Sequence, residues 1–244
     1  MRTSVHEIPV ELMSRRRVLP HGISIEQIAA ALAALPTARI SVHGTIRVKG
    51  RDTPVYGDGL VDFGRDIGFT SLTTHGTQIE QLTVGRDKFQ RLPASQQQAT
   101  GKLWLWRPEP HDLWRQMIAA MPHIASCTSS GAEILSGEPV HRCSFLLKPK
   151  GTSSLSRPRE KKDPSVAELE ATLSALGRDR VFLDVWLADD LALRKVREHS
   201  TALRRALLDG STSVVATTAE YLDFGVSVDL AAPSADQVLG YPAD

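Results

Sequence analysis

The chain has 244 residues, with 29 lysines and arginines against 28 aspartates and glutamates, and 41% of its residues are apolar. This length allows one large strand-rich domain or two small ones, and the near-neutral charge argues against a nucleic-acid partner selected by bulk charge. No apolar run is long enough for a membrane-spanning helix, and two cysteines are too few for a disulfide framework.

The first predicted element is a helix from Ser24 to Leu35. Ser24 and Gln27 have the spacing of a capping box, and apolar residues then recur on one helical face. The alternative interpretation is a twin-arginine export signal, with Arg15–Arg17 followed by an alanine-rich run. Glu26 and Gln27 lie inside that run, and they favour the helix of a folded domain.

Alternating apolar and polar residues predict the strands that follow. Ile40 to Val48 has the pattern of a half-buried strand, and a second strand is predicted over Val55–Phe63. Gly57 and Gly59 lie within this second strand, where glycine often marks a bend at which a sheet curls. Four further strands and one Gln-rich loop are predicted next: strands at Ile67–Thr74, Thr77–Val84, Lys88–Leu92 and Lys102–Arg107, and the loop at Ala94–Gly101.

Two more helices are predicted in the second half of the chain. The first begins at Pro110, since proline suits a first helical turn, and Pro122 is expected to end it after Met121. The second runs from Val166 to Leu176 and is capped by Gly177. A hairpin is predicted between the helices and three strands after them: Ala132–Leu135, Val140–Leu147, Val181–Leu187, Leu191–Arg197 and Val214–Phe224.

Two parts of the sequence resemble a known family. Residues 183–197 read LDVWLADDLALRKVR and residues 219–238 read AEYLDFGVSVDLAAPSADQV. They are similar to the C-terminal signature of actinobacterial LppX/LprG-type lipoproteins, which are relatives of the LolA carrier. Residues 38–51 and 55–92 match the family pattern upstream, whereas Asp190-Leu191 stands where the family usually has Asp-Gly.

The resemblance implies a fold and a location. The expected fold is a large curled antiparallel β-sheet, a LolA-like half-barrel, with three short helices covering its concave face. Residues 1–22 are expected to form an extended tail, and residues 23–244 a single domain with a mobile loop at 149–164. An extracytoplasmic, envelope location is expected from the family, while the signal peptide and lipidated cysteine of its members are not seen in this chain, which leaves a cytoplasmic location open.

The function that this resemblance implies is a non-catalytic carrier for a lipid, a glycolipid or the acyl chain of a lipoprotein, bound in a hydrophobic cavity. The chain has no nucleophile elbow and no Walker-type loop, and no histidine spacing typical of a metal site, so we expect no catalytic residue, cofactor or metal. The alternatives are an envelope interaction or sensor module without cargo, and a cyclase-type enzyme with an apolar barrel. Candidate cavity residues are Ile40, Val42, Ile46 and Phe69 for the floor and Leu113, Met117, Met121, Leu169 and Leu173 for the lid.

Two further features have open interpretations. The predicted loop at 149–164 is cationic, with Arg157, Arg159, Lys161 and Lys162. This cationic loop could contact anionic head groups at a membrane surface or be a solvated linker. Cys127 and Cys143 would form a disulfide only if Ser126–Ser130 folded back as a loop, because the predicted hairpin otherwise separates them by about 16 Å.

Overall fold

The computed structural model describes residues 23–48, 50–108, 113–149, 163–205 and 212–241. The predicted tail at 1–22 and almost all of the cationic loop lie outside these residues. Four α-helices occur in the described part: α1 (Ile25–Ala33), α2 (Ala94–Thr100), α3 (Leu113–Ile124) and α4 (Pro164–Ala175). The strands are β1 (Thr37–Val48), β2 (Arg51–Asp62), β3 (Ile67–Thr74), β4 (Thr77–Val84), β5 (Asp87–Arg91), β6 (Trp104–Pro108), β7 (Ala125–Leu135), β8 (Glu138–Leu147), β9 (Val181–Leu187), β10 (Leu193–Arg205), β11 (Thr212–Leu222) and β12 (Val238–Leu239).

The twelve strands form one open sheet in the order β12-β6-β5-β4-β3-β2-β1-β11-β10-β9-β8-β7. Every neighbouring pair is antiparallel except β12 and β6, which are parallel. The predicted fold class, a large curled antiparallel sheet with helices on one face, is therefore confirmed, with one parallel pair added. Among the described helices, none is both long and apolar enough to cross a membrane.

Three of the helices cover the same face of the sheet. Apolar side chains of α1, α3 and α4 pack onto those residues of β8, β9 and β10 that share one face of the sheet, and this packing forms the main core. The capping box of α1 is present, because the Ser24 hydroxyl accepts from the Gln27 backbone N–H at 3.2 Å and the Gln27 carboxamide accepts from the Ser24 N–H at 2.8 Å. These are the three helices that the sequence predicted.

A second, smaller core lies on the opposite face of the sheet. Phe69, Leu82, Phe89 and Trp106 follow one another in cross-strand register through β3, β4, β5 and β6. The C-terminal segment covers them, with the Tyr241 ring centroid 6.0 Å from that of Phe89. The sheet therefore buries different faces in its two halves.

Glycine allows the adjacent strands β2 and β3 to approach each other closely. A Cβ at Gly57 would collide with the backbone carbonyl of Ser71, and one at Gly59 with that of Phe69. Because backbone atoms of a paired strand cannot move aside cheaply, only glycine fits here. The structure thus shows a close approach of β2 and β3 at these two residues, whereas their predicted role in a bend of the sheet stays a prediction.

Three local predictions are wrong. Ala94–Gly101 is not a loop, since Ala94–Thr100 forms α2, a helix without buried residues. Pro122 does not end α3, which continues to Ile124 with Pro122 inside it; the buried side chains of Met121 and Ile124 hold the last turn although one backbone hydrogen bond is lost.

The third wrong prediction concerns the start of the central hairpin. The segment Thr128–Gly131, interpreted as turn-like, belongs to strand β7, which begins at Ala125. Ser126–Ser130 therefore does not fold back as a loop, and Cys127 and Cys143 are present as thiols. Burial raises the pKa of the Cys143 thiol to about 11, with a smaller contribution from neighbouring Cys127.

Candidate functional site

The residues predicted as a lid are part of the main core. Met117, Met121 and Leu169 are fully buried and Leu173 is 1% exposed, whereas Leu113 is half-buried at the edge of the same cluster. They pack against the strands and against one another across α3 and α4. The structure brings these five residues together in one apolar cluster, in which four of them are buried.

The residues predicted as a floor lie on both faces of the sheet. Ile40, Val42 and Ile46 share the face that carries the helices, since they occupy alternate positions of β1. On β2, Gly59 is the partner of Ile40 and Leu60 is the partner of Phe69. Gly59 and Leu60 are consecutive, so these two positions face opposite sides of the sheet. Phe69 therefore points to the opposite face and packs in the second core.

A large cleft lies beside the main core, at the end of α4. Its volume is about 1110 Å³. None of the nine predicted cavity residues lines it. The lining comes from β1, β2, β9, β10 and β11, from the last turn of α4 and from the connection between α4 and β9: His43, Gly44, Thr45, Pro54, Val55, Tyr56, Ser174, Gly177, Arg178, Asp179, Arg180, Phe182, His199, Ser200, Thr201, Ala216, Thr217 and Thr218.

One row of small side chains crosses the sheet at the cleft. Ser200 pairs with Thr217, Thr217 with Gly44, and Gly44 with Val55. The row lies on the face that carries the helices, because Ser200 is in step along β10 with Val196 of the main core. Small residues at these positions leave space that leucine or phenylalanine would fill.

The row is held closely together. The hydroxyl oxygens of Ser200 and Thr217 lie 3.1 Å apart in a hydrogen bond. A Cβ at Gly44 would collide with the backbone carbonyl oxygen of Ala216 on β11. The wall of the cleft is therefore a continuous backbone surface at this point.

The end of α4 places a cation at the cleft. Gly177 has a positive φ of 69°, and the chain reverses there with the Arg178 N–H donating to the Leu173 carbonyl at 2.7 Å. This local structure orients Arg178 toward Glu198 of β10, with the Arg178 Nη1 3.5 Å from the Glu198 Oε1. Burial raises the pKa of Glu198, and the opposing effects of Arg178 and His199 are smaller.

Next to it, Arg180 makes a different kind of ion pair. Its Nε and Nη2 donate to the two carboxylate oxygens of Asp179 at 3.0 and 2.8 Å. Both side chains are about half exposed. Hydrogen bonding to Arg180 lowers the pKa of Asp179, so this pair stays charged at the rim of the cleft.

A separate network of charges covers the other face of β8, β9 and β10. Arg142 donates to Asp184 at 3.0 Å, and Asp184 is 6% exposed. Burial would raise the pKa of Asp184, but the neighbouring His199 ring and the Arg142 guanidinium lower it to about 2. The guanidinium carbons of Arg142 and Arg197 lie 5.3 and 5.0 Å from the centroid of the Trp186 ring. Cation–π and ionic contacts therefore stabilise this face of the sheet, which we call the outer face.

The sequence held only part of the signal for the cleft. Gly177 was predicted as a helix cap, and Gly44 lies among apolar residues of β1, so both positions could be identified. Ser200, Thr217 and Arg178 carry no local pattern that indicates a site. Their proximity depends on the register of strands that are far apart in the chain.

Comparisons with known proteins give similarity in fold. No protein-family model matches the chain, and no curated protein matches it. The chain is similar to the solved structure of lipoprotein LppX from Mycobacterium tuberculosis, at 13% identity and a TM-score of 0.44, over 84% of this chain and 94% of that one.

Two other solved structures are similar at the same level. LprF from Mycobacterium bovis is 10% identical with a TM-score of 0.42, over 86% of this chain and 97% of that one. An uncharacterized conserved protein from Thermus thermophilus is 10% identical with a TM-score of 0.43, over 88% and 97%. The solved structures to which the chain is similar thus include lipoproteins of the type that its sequence motifs resemble.

Proposed function

We propose that this protein is a non-catalytic carrier that binds the acyl chain of a lipid, a glycolipid or an acylated protein in the cleft at the end of α4, and that it acts in the cell envelope. The observation that supports this proposal is the cleft itself. Its volume of about 1110 Å³ slightly exceeds the usual range for small-molecule sites, which extends to about 1,000 Å³. Val55, Pro54, Phe182 and Ala216 contribute apolar contacts to its lining.

The driving force for such binding is the removal of methylene groups from water. Each buried CH₂ group contributes about 0.8 kcal/mol, so a long acyl chain has enough apolar surface to outweigh the entropy lost on binding. The methyl groups of threonine add to the apolar lining, and the hydroxyl groups of Ser200 and Thr217 already satisfy each other. The row of small residues therefore presents few unpaired polar atoms to the chain.

A direct test uses delipidated protein and a radiolabelled phospholipid. We expect the lipid to co-elute with the wild-type protein in gel filtration, and native mass spectrometry of protein from its own host to detect a bound lipid. Thr217→Trp fills the cleft and should lower lipid binding by about tenfold or more. Thr73→Trp adds the same bulk to β3, which does not line the cleft, and should leave lipid binding unchanged.

An interaction or sensor module without cargo is the second candidate. The observation that favours it is the packed interior beneath α3 and α4, where four of the five predicted lid residues are buried. The two proposals differ in the lipid experiment. Absence of co-elution with the wild-type protein at micromolar concentration would contradict the carrier and favour the interaction module.

A further inference from the structure

Arg178 is a half-buried cation in the wall of the cleft, and one of its N–H groups has no hydrogen-bond partner among the described residues. Its side chain is 17% exposed, and its Nε–H is buried without a hydrogen-bond partner in the described part of the chain. Its Nη1 contact with Glu198 is 3.5 Å long, at the outer limit for a hydrogen bond. Guanidinium groups have five N–H donors, and buried donors normally find acceptors.

The neighbouring cation at the cleft, Arg180, already has a hydrogen-bond partner. Arg180 makes a bidentate pair with Asp179 through two short hydrogen bonds, which is the strong geometry for these groups. Glu198 does not give Arg178 an equivalent partner, because its burial disfavours the carboxylate form. Of the two arginines, Arg178 is therefore the one able to accept an additional anion.

The charged residues that line the cleft also favour an anionic ligand. Among the described residues that line the cleft, the charged ones are Arg178 and the Arg180–Asp179 pair, so the lining carries one more positive than negative charge. An anionic oxygen brought into the cleft meets positive charge rather than repulsion. In a partly buried site, such a charge-assisted hydrogen bond is also stronger than in water.

Resting on the proposed carrier function, we propose that the ligand is an anionic amphiphile, whose carboxylate or phosphate oxygen accepts hydrogen bonds from Arg178 while its hydrocarbon chain occupies the cleft. The acyl chain provides the apolar contacts, and Arg178 selects the charged head group. Neutral lipids of the same chain length lack this contact.

The experiment compares three probes that share one chain, oleate, oleyl phosphate and oleyl alcohol, by displacement of a fluorescent fatty acid at neutral pH. The wild-type protein should bind the two anions at least about tenfold more tightly than the alcohol. Arg178→Gln should lose this preference and keep its affinity for the alcohol. Arg39→Gln, a change on the exposed part of β1, should keep both.

The possible outcomes separate the two proposals. Equal affinity of the wild-type protein for oleate and oleyl alcohol overturns the role of Arg178 but leaves the carrier intact. A preference that survives in Arg178→Gln, or that is lost only in Arg180→Gln, also overturns it. If none of the three probes binds to the wild-type protein, the carrier proposal fails as well.

Two additional measurements separate head-group selection from a folding defect and from a site for a free anion. Glu198→Gln keeps Arg178 and weakens the competing contact between the two side chains, so oleate should bind about threefold more tightly or better; unchanged or weaker binding contradicts the proposal even if Arg178→Gln does not fold. Inorganic phosphate should not displace the fluorescent probe at concentrations where oleyl phosphate does. Equal displacement by both would indicate a site for a free anion and overturn the amphiphile.

Discussion

The face of the sheet that carries the helices is filled at one end and open at the other, and strand β10 passes through both regions. At its beginning, Val196 is fully buried against the main core. Four residues later, Ser200 lies at the cleft beside Thr217 and Gly44. The two regions differ in the size of the side chains and in the presence of a helix above them. The open space thus lies where β1, β10 and β11 carry small residues beyond the end of α4, rather than where the residues are most apolar.

The largest expected effect is on the packed region. Leu169→Ala removes a fully buried side chain, and the cavity left behind should lower the free energy of unfolding by about 2–5 kcal/mol. Because Leu169 does not line the cleft, the affinity for a fluorescent fatty acid should stay the same in the folded variant. Chemical denaturation and probe titration measure the two quantities. The volume-conserving control Leu169→Met should cost less than about 1.5 kcal/mol, and loss of binding in folded Leu169→Ala would mean that the two regions are one site.

The next effect tests the backbone wall of the open region. Gly44→Ala places a Cβ against the carbonyl oxygen of Ala216, so β1 and β11 must separate, with an expected loss of stability of about 1–3 kcal/mol. Gly131 of β7 is the control, since a Cβ there meets no atom within 4 Å. Gly131→Ala should be neutral or stabilise slightly, because alanine loses less backbone entropy on folding. Equal stability of the two variants in thermal unfolding would contradict the close approach of the strands.

A third effect concerns the outer face of the packed region and depends on pH. The pKa of Asp184 falls from 3.8 to about 2 on folding. A depressed folded pKa stabilises the protein above the unfolded value, and this contribution of about 2 kcal/mol is lost as the pH falls from about 4 to 2. Asp184→Asn should therefore be less stable at neutral pH and should lose less stability in acid. Urea denaturation as a function of pH tests this, with the exposed Asp229→Asn as the variant that should follow the wild type.

The smallest effect is a rate that reports on opening of the packed region. Cys143 is fully buried and its pKa is raised to about 11, and both properties suppress its reaction with thiol reagents. In a Cys127→Ser background, labelling of Cys143 should occur at the rate of global unfolding and become fast in denaturant. Rapid labelling in native buffer would show that the packed region opens locally, in the way that a mobile lid does.

Local patterns predicted most of the elements because they depend on neighbours in the chain. The alternation of Val181–Leu187 gave the bounds of β9 as the structure has them. The wrong predictions occurred where that signal is weak: α2 buries no residue, and the first half of β7 is rich in serine and threonine. In α3, burial of Met121 and Ile124 outweighed the cost of Pro122, which tertiary contacts alone can decide.

The sequence by itself determined the strand periodicity, the helix caps and the resemblance to LppX/LprG-type lipoproteins, since these are written in short segments of the chain. It did not determine which predicted residues would meet. The tertiary structure buried four of the five predicted lid residues, turned Phe69 to the opposite face and brought Arg178, Ser200, Thr217 and Gly44 to a cleft. The physical reason is that a one-residue step in register exchanges the faces of a strand, and that register is fixed by partners distant in the chain.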